Sequence, residues 1–104
     1  MKGVDNMKKF ELAPIDNRKS FYGKAIVTEY SEKLAILTSY TTEVARIENG
    51  VFVRMWDGYS PTTQRHVNAF RSTYGLETIT GTEWKKLPVD THNPILNIIK
   101  AVTA

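Results

Sequence analysis

The chain has 104 residues, no cysteine and a net charge of +3. This length is enough for one domain with its own hydrophobic core, and a hydrophobic fraction of 41% is ordinary for a globular protein. The absence of cysteine excludes disulfide scaffolds, thiolate zinc sites and cysteine nucleophiles. No apolar run is long enough to span a membrane, and the first residues lack the apolar stretch of a signal peptide. We therefore expect a cytoplasmic protein.

Residues 1–20 contain many charged and few apolar residues, a composition typical of a flexible lead-in. Phe10 and Leu12 would also be compatible with a short strand. We expect one α+β domain over residues 21–88, followed by a tail over residues 89–104.

Runs of β-branched and aromatic residues at 25–30 and 34–40 predict two strands. A further hairpin is indicated by Asn49-Gly50, which is the preferred sequence of a two-residue type I′ turn because both central residues then have positive φ. This turn would place Ile47 opposite Phe52. Apolar residues lie on both faces of the predicted hairpin, so we expect each face to be partly covered.

The clearest helix is predicted over residues 61–74, with Ser60 as its N-cap, Pro61 at its first position and Gly75 as its stop. Helical spacing places one set of residues on the inward face: Thr63, His66, Val67, Phe70 and Tyr74. The opposite, polar face carries Gln64, Arg65, Asn68, Arg71 and Ser72.

Two shorter helices are predicted after it. Thr80 and Glu83 match a capping box that would begin a helix over residues 80–87, which Pro88 ends. In the tail, the apolar residues at 95, 98, 99 and 102 recur at helical spacing and predict an amphipathic helix over residues 94–102. Its apolar side needs a partner surface, either on its own domain or on another molecule. The predicted fold is an antiparallel sheet of three or four strands, from about residue 21 to residue 57, with the main helix on one face and one or two short C-terminal helices.

No catalytic constellation is apparent. Ser60, His66 and Asp57 would be the residues of a hydrolase, but Ser60 is better explained as a helix cap and His66 as an inward-facing structural histidine. His66 and His92 have no nearby ligand at a metal-binding spacing, and no glycine-rich phosphate loop precedes a helix. We therefore expect no enzyme activity, metal or cofactor.

Two groups of residues are candidates for binding. On the polar helix face, Arg65 and Arg71 could bind phosphates, while Gln64 and Asn68 carry amides suited to base edges. The alternative is that this is an ordinary solvated helix face, and a helix–turn–helix motif is disfavoured because the second helix is short. The remaining candidates add charge or lie at strand ends beside loops, where aromatic residues often form protein interfaces: Lys85, Lys86, Tyr40, Trp56 and Tyr59.

The resemblance to known proteins rests on Ser20-Phe21-Tyr22-Gly23-Lys24-Ala25, Leu37-Thr38-Ser39-Tyr40-Thr41-Thr42, Trp56-Asp57-Gly58-Tyr59-Ser60, Thr62-Thr63 with His66 and Asn68 to Phe70, and Glu83-Trp84. With these residues, the chain resembles a family of small uncharacterised proteins carried by phages and plasmids of Gram-positive bacteria. The resemblance implies a mobile-element setting, in which small cofactor-free proteins such as anti-CRISPR proteins act by binding host enzymes. An acidic DNA mimic is disfavoured because the chain is basic.

These observations together favour a non-catalytic protein that binds a host protein in the bacterial cytoplasm. The sharpest form of this hypothesis is inhibition of a nucleic-acid enzyme, such as a CRISPR nuclease or its nucleoprotein complex. The alternative is direct binding of DNA or RNA through the polar face of the helix over residues 61–74. No membrane partner is expected. The oligomeric state stays open, including a homodimer sealed by the apolar stripe of residues 95–102.

Overall fold

The structure is a computed structural model that describes residues 7–15 and 20–94. These residues form an α+β fold with one five-stranded antiparallel sheet. The strands lie in the sheet in their order along the chain: β1 (Lys8–Glu11), β2 (Ala25–Ser31), β3 (Leu34–Ser39), β4 (Thr42–Glu48) and β5 (Val51–Arg54). Helix α1 (Pro61–Thr73) and helix α2 (Gly81–Lys86) follow the sheet.

The first strand was not expected, since the prediction was three or four strands beginning near residue 21. Strand β1 pairs antiparallel with β2, and the interpretation of residues 1–20 as a flexible lead-in does not hold for Lys8–Glu11. An edge strand needs only one apolar face, and here Phe10 packs against the core while the next apolar residue, Leu12, is buried within it. The charged residues between and before them face solvent, which made the segment look too polar for a strand.

The predicted hairpin is confirmed. Strands β4 and β5 pair in the expected register, with Ile47 opposite Phe52 and Glu48 opposite Val51. Asn49 and Gly50 form the turn with φ of 53° and 81°, the positive values that a type I′ turn requires.

Helix α1 begins and ends as predicted, to within one residue. Ser60 Oγ accepts a hydrogen bond from the backbone N–H of Thr63 at 3.0 Å, and Gly75 follows the helix with φ of 77°. The capping box of α2 is also confirmed, because Thr80 and Glu83 bond reciprocally.

Apolar residues pack on both faces of the sheet. Helix α1 covers one face, where Val67 and Phe70 are completely buried, and Trp84 of α2 belongs to the same core. The opposite face, which we call the outer face, carries a smaller cluster of Leu34, Ile36 and Met55. Each face of the hairpin was expected to be partly covered, and on the outer face Arg46 and Met55 are each 4% exposed whereas Val51 is 60% exposed.

Part of the expected tail lies against the sheet. Val89 forms a parallel bridge with Arg54 at the end of β5, and the backbone N–H of Asp90 donates to the carbonyl of Arg54 at 2.8 Å. A helix was predicted over residues 94–102, and the part of it beyond Pro94 lies outside the described residues. Within the ranges described, no helix has both the length and the apolar character needed to cross a membrane.

Candidate functional site

Three loops meet at one end of the sheet, because β2 and β4 begin there and β3 and β5 end there. They comprise residues 21–24, 40–41 and 55–60, and the first turn of α1 lies beside them. We call this region the loop end. The first two loops are joined directly, since the backbone N–H of Tyr40 donates to the carbonyl of Lys24 at 2.7 Å.

A buried polar cluster lies next to the loop end, between the end of β3 and α1. The hydroxyl of Ser39, the last residue of β3, lies 2.8 Å from Nδ1 of His66 and 3.0 Å from Oγ1 of Thr63. Ser39 is 2% exposed and His66 is 0% exposed. The ring of Phe21 packs edge-on against the imidazole, with 4.4 Å between the ring centroids. The cluster therefore fixes the first turns of α1 to the end of β3 and to the loop over residues 21–24.

His66 is held in its neutral form. Burial, together with the smaller effect of the nearby positive charge of Arg65, lowers the pKa of its imidazole to about 4. Nε2 of this ring is buried and has no hydrogen-bond partner among the described residues. Its partner at Nδ1 is the hydroxyl of Ser39, whereas Ser60 serves as the cap of α1. The structure thus places His66 in the core and does not bring Ser60 into a catalytic arrangement with it.

Two exposed tyrosines lie in the first two loops of the loop end. Tyr22 is 69% exposed and Tyr40 is 54% exposed, although the Tyr40 ring lies 5.8 Å from the His66 ring, measured between centroids. Both have left-handed backbone conformations, with φ of 52° for Tyr22 and 57° for Tyr40. Tyr22 shares its turn with Gly23, also at positive φ, and the turn is closed by a hydrogen bond from Lys24 to Phe21.

These backbone conformations carry an energetic cost. A non-glycine residue in the left-handed region costs about 1–2 kcal/mol, least for Asn and Asp, and a bulky residue there is unusual. Burial offsets little of the cost at Tyr22 and Tyr40, because both residues keep more than half of their surface in solvent. Backbone strain of this kind is concentrated at functional sites. Of the residues at the loop end, these two tyrosines are therefore the ones whose presence is least explained by the stability of the folded domain.

The third loop carries the other aromatic candidates. Arg54 holds this loop in place, because its guanidinium donates to the carbonyls of Trp56 and Gly58 at 2.8 and 3.3 Å. The ring of Trp56 packs across Gly58, where an added Cβ would lie 2.2 Å from it, so Trp56 is half-buried. Tyr59 is 40% exposed. Of these two aromatic candidates, Tyr59 presents the larger share of its side chain to solvent.

Lysine side chains lie beside the exposed tyrosines. Nζ of Lys85 is 4.4 Å from the centroid of the Tyr59 ring, and Lys24 is exposed in the same turn as Tyr22. Arg65 is half-buried, with its guanidinium 5.1 Å from the ring of Phe21. Lys86 is exposed on α2. The exposed aromatic surface of the loop end therefore has positive charges next to it.

The predicted polar face of α1 is largely occupied by the chain itself. The amides of Gln64 and Asn68 both donate to the carbonyl of Ile79 at 3.0 Å, and Asn68 Oδ1 accepts from the backbone N–H of Ile79 at 2.8 Å. Arg71 donates to the carbonyl of Glu77 at 2.6 Å. These side chains fasten the segment 76–80 along the helix, so the amides expected to contact base edges are engaged within the domain.

The predicted site residues are thus divided among three places. Arg65, Tyr40, Trp56 and Tyr59 lie at the loop end, and Lys85 and Lys86 lie on α2. The third group, Gln64, Asn68 and Arg71, holds the segment 76–80. Sequence reasoning missed Tyr22, although Tyr22-Gly23 ahead of a strand resembles a turn with positive φ. It missed the segment 76–80 because nothing local predicts that this segment returns along α1.

No group of three or more acidic or histidine side chains that could hold a metal ion occurs in residues 7–15 and 20–94. Within the same ranges, the groups with metal-ligating chemistry at or beside the loop end include the buried His66, the exposed carboxylate of Asp57 and the carboxylate of Glu11 next to Gly23.

Comparison with models of protein families gives a match. Residues 10–86 match a family described as a family of unknown function (DUF8033). No curated protein and no solved structure matches the chain. The matched stretch includes β2 to β5, both helices and all three loops of the loop end. The chain therefore belongs to the DUF8033 family.

Proposed function

We propose that this chain is a non-catalytic binding protein that contacts a partner protein through the loop end, with Tyr22 and Tyr40 as the central contacts. The observation that carries this proposal is that two bulky aromatic residues occupy strained, left-handed positions while remaining more than half exposed. Asn or Gly would fill either position at a lower cost in backbone strain. When a partner binds, the rings that are exposed in the free chain become buried in the interface.

Tyrosine is well suited to this role. It contributes a large contact area with only two side-chain torsions to fix, and it is enriched among the residues that dominate binding energy. The turn closed by Lys24 and the bond between Tyr40 and Lys24 fix the backbone that carries both rings. The polar cluster of Ser39, Thr63 and His66 joins α1 to the end of β3, which directly precedes Tyr40. Preorganisation of this kind lowers the entropy lost on binding.

The partner in this proposal is a host protein in the cytoplasm of a Gram-positive bacterium. Its sharpest form is inhibition of a nucleic-acid enzyme, such as a CRISPR nuclease or its nucleoprotein complex. The support for that form is the resemblance to proteins of phages and plasmids together with the absence of an assembled catalytic group in the described loop end. The positive charges of Lys24 and Arg65 favour a partner surface with acidic groups near its apolar contact.

Direct binding of DNA or RNA through the polar face of α1 is the competing proposal. It is weakened because the side-chain amides of Asn68 and Gln64 are already hydrogen-bonded to the backbone of Ile79. It also makes a different prediction, since binding through phosphate contacts falls steeply with salt concentration.

The test is an affinity capture from a Gram-positive lysate with the wild-type chain, the double variant Tyr22→Asn/Tyr40→Gly and the control variant Val51→Thr, each with and without nuclease. Val51 is 60% exposed at the opposite end of the sheet. We expect one protein to be captured by the wild type and the control, to survive nuclease treatment, and to be lost with the double variant. Equal capture by all three chains would contradict the assignment of the loop end. Loss of all captured protein after nuclease would favour the nucleic-acid proposal.

A further inference from the structure

We propose that the chain forms a symmetric dimer in which the β1 strands of two copies pair edge to edge. Strand β1 lies at the end of the sheet and, among the residues that the structure describes, pairs with β2 alone. The opposite edge of the sheet differs, because Val89 forms a bridge with Arg54 at the end of β5. The open edge of β1 therefore presents backbone groups with which another strand can pair.

The backbone groups that face this open edge belong to Lys9 and Glu11. The N–H of Leu12 donates to the carbonyl of Ala25 in the loop-end part of β2 at 2.9 Å. Along an antiparallel pair, residues that exchange hydrogen bonds alternate with residues that do not. Leu12 and Phe10 thus direct their backbone groups toward β2, whereas Lys9 and Glu11 direct theirs away from it. These two residues would supply the hydrogen bonds to a second strand.

The side chains of β1 are complementary to a second copy of the same strand. Phe10 packs against the core that α1 covers, so the neighbouring side chains of Lys9 and Glu11 lie on the outer face, where both are exposed. When two copies pair antiparallel about a two-fold axis at Phe10, Lys9 of each copy lies opposite Glu11 of the other. Those are also the residues whose backbone groups face the edge. One register therefore provides both the hydrogen bonds and pairs of opposite charges.

Neighbouring registers are unfavourable. A slip of two residues in one direction places Lys9 opposite Lys9 of the second copy, and the same slip in the other direction places Glu11 opposite Glu11. Like charges directly opposite each other destabilise a strand pair. A lysine on an edge strand ordinarily opposes pairing with another chain. The alternation of Lys9 and Glu11 about Phe10 therefore favours a second copy of this strand over an unrelated strand.

Exposed apolar side chains lie at both ends of β1. Met7 directly precedes the strand and is 46% exposed, and Ile15 follows it and is 53% exposed. In an antiparallel dimer, Met7 of each copy lies at the same end of the interface as Ile15 of the other copy. Dimerisation thus brings together apolar groups that the folding of one chain leaves in solvent, and their burial favours association.

Charge-reversal variants of the full chain test this register. Lys9→Glu and Glu11→Lys each place like charges opposite each other, so we expect the dissociation constant of the dimer, measured by sedimentation equilibrium, to rise on the order of tenfold to a hundredfold. The control Lys33→Glu makes the same change of charge in the turn between β2 and β3 and should leave the dissociation constant unchanged.

A mixture of the two single variants provides the decisive comparison. Lys9→Glu and Glu11→Lys chains in equal amounts should form a heterodimer about as readily as the wild type forms its dimer, because every opposed pair again carries opposite charges. A wild type that stays monomeric at every concentration would overturn the proposal. Single variants that dimerise like the wild type, or a mixture that forms no heterodimer, would also overturn it.

Amide hydrogen exchange tests the backbone pairing independently of charge. We expect the N–H groups of Lys9 and Glu11 to become protected as the protein concentration rises, whereas the N–H of Leu12, bonded to β2, is protected at every concentration. A dimer that forms without protection of Lys9 and Glu11 would have its interface elsewhere and would contradict the proposal. None of the variants alters Tyr22 or Tyr40, so failure here leaves the proposed binding function untouched.

Discussion

The buried imidazole of His66 predicts a specific loss of stability at mildly acidic pH. In the folded chain its pKa is lowered to about 4, chiefly by burial, while the ordinary value of 6.5 applies in the unfolded chain. Below pH 6.5 the unfolded chain therefore binds a proton that the folded chain does not bind. The contribution to stability is complete above pH 6.5 and is lost as the pH falls toward 4.

The size of this loss follows from proton linkage. Between pH 7 and pH 4.5, the two pKa values give a fall of about 2 kcal/mol in the free energy of unfolding. The range stops at pH 4.5 because two exposed carboxylates with lowered pKa, Glu83 and Asp90, make contributions that fall mainly below their ordinary values of 4.5 and 3.8. Of these three groups, His66 therefore accounts for most of the loss above pH 4.5.

The assay is urea unfolding followed by tryptophan fluorescence at several pH values, for the wild type and for His66→Asn. Asn does not titrate and retains an acceptor near the Ser39 hydroxyl, although it leaves a cavity that lowers stability at every pH. We expect the wild type to lose about 2 kcal/mol over this range and the variant to lose much less. A wild type of constant stability, or a variant with the same loss, would refute the reasoning. An NMR titration of the wild type gives the same answer without a variant, since the His66 ring should stay neutral down to about pH 4.

Three further predictions concern other parts of the domain, each measured by urea unfolding. Asn68→Ala should destabilise the domain by about 2 kcal/mol, because it leaves the backbone N–H of Ile79 without its side-chain acceptor and removes one of the two amides that donate to the Ile79 carbonyl. The control Ser72→Ala, on the exposed helix surface, should change stability by less than about 0.5 kcal/mol. Arg54→Met should cost about 3 kcal/mol or more, because four carbonyls lose a buried, charged donor. Tyr40→Gly should leave stability within about 1 kcal/mol of the wild type, because relief of strain offsets the added backbone freedom, and a larger loss would mean that Tyr40 is needed for folding.

Features encoded in adjacent residues could be predicted from the sequence. The turn at Asn49-Gly50 depends only on residues that tolerate positive φ, and it fixed the register of two strands correctly. The N-cap of α1 and the capping box of α2 depend on contacts across three residues. Such short-range contacts are present in the sequence pattern itself.

Features that depend on distant parts of the chain could not be predicted. Ser39 and His66 are 27 residues apart, and nothing in either local sequence indicates that their side chains meet. The amides of Gln64 and Asn68 were interpreted as free because the return of the segment 76–80 along α1 depends on tertiary packing. The candidate site shifted for this reason, from the middle of the helix to the end of the sheet.

The central claim is that a partner protein contacts Tyr22 and Tyr40 directly. The most direct measurement replaces Tyr22, Tyr40 or, as a control, Val51 by the photo-crosslinking residue p-benzoylphenylalanine and irradiates intact Gram-positive cells that produce each chain. The account predicts one discrete protein adduct from position 22 or position 40 and none from position 51. No protein adduct from either tyrosine position, or the same adducts from position 51, would contradict it.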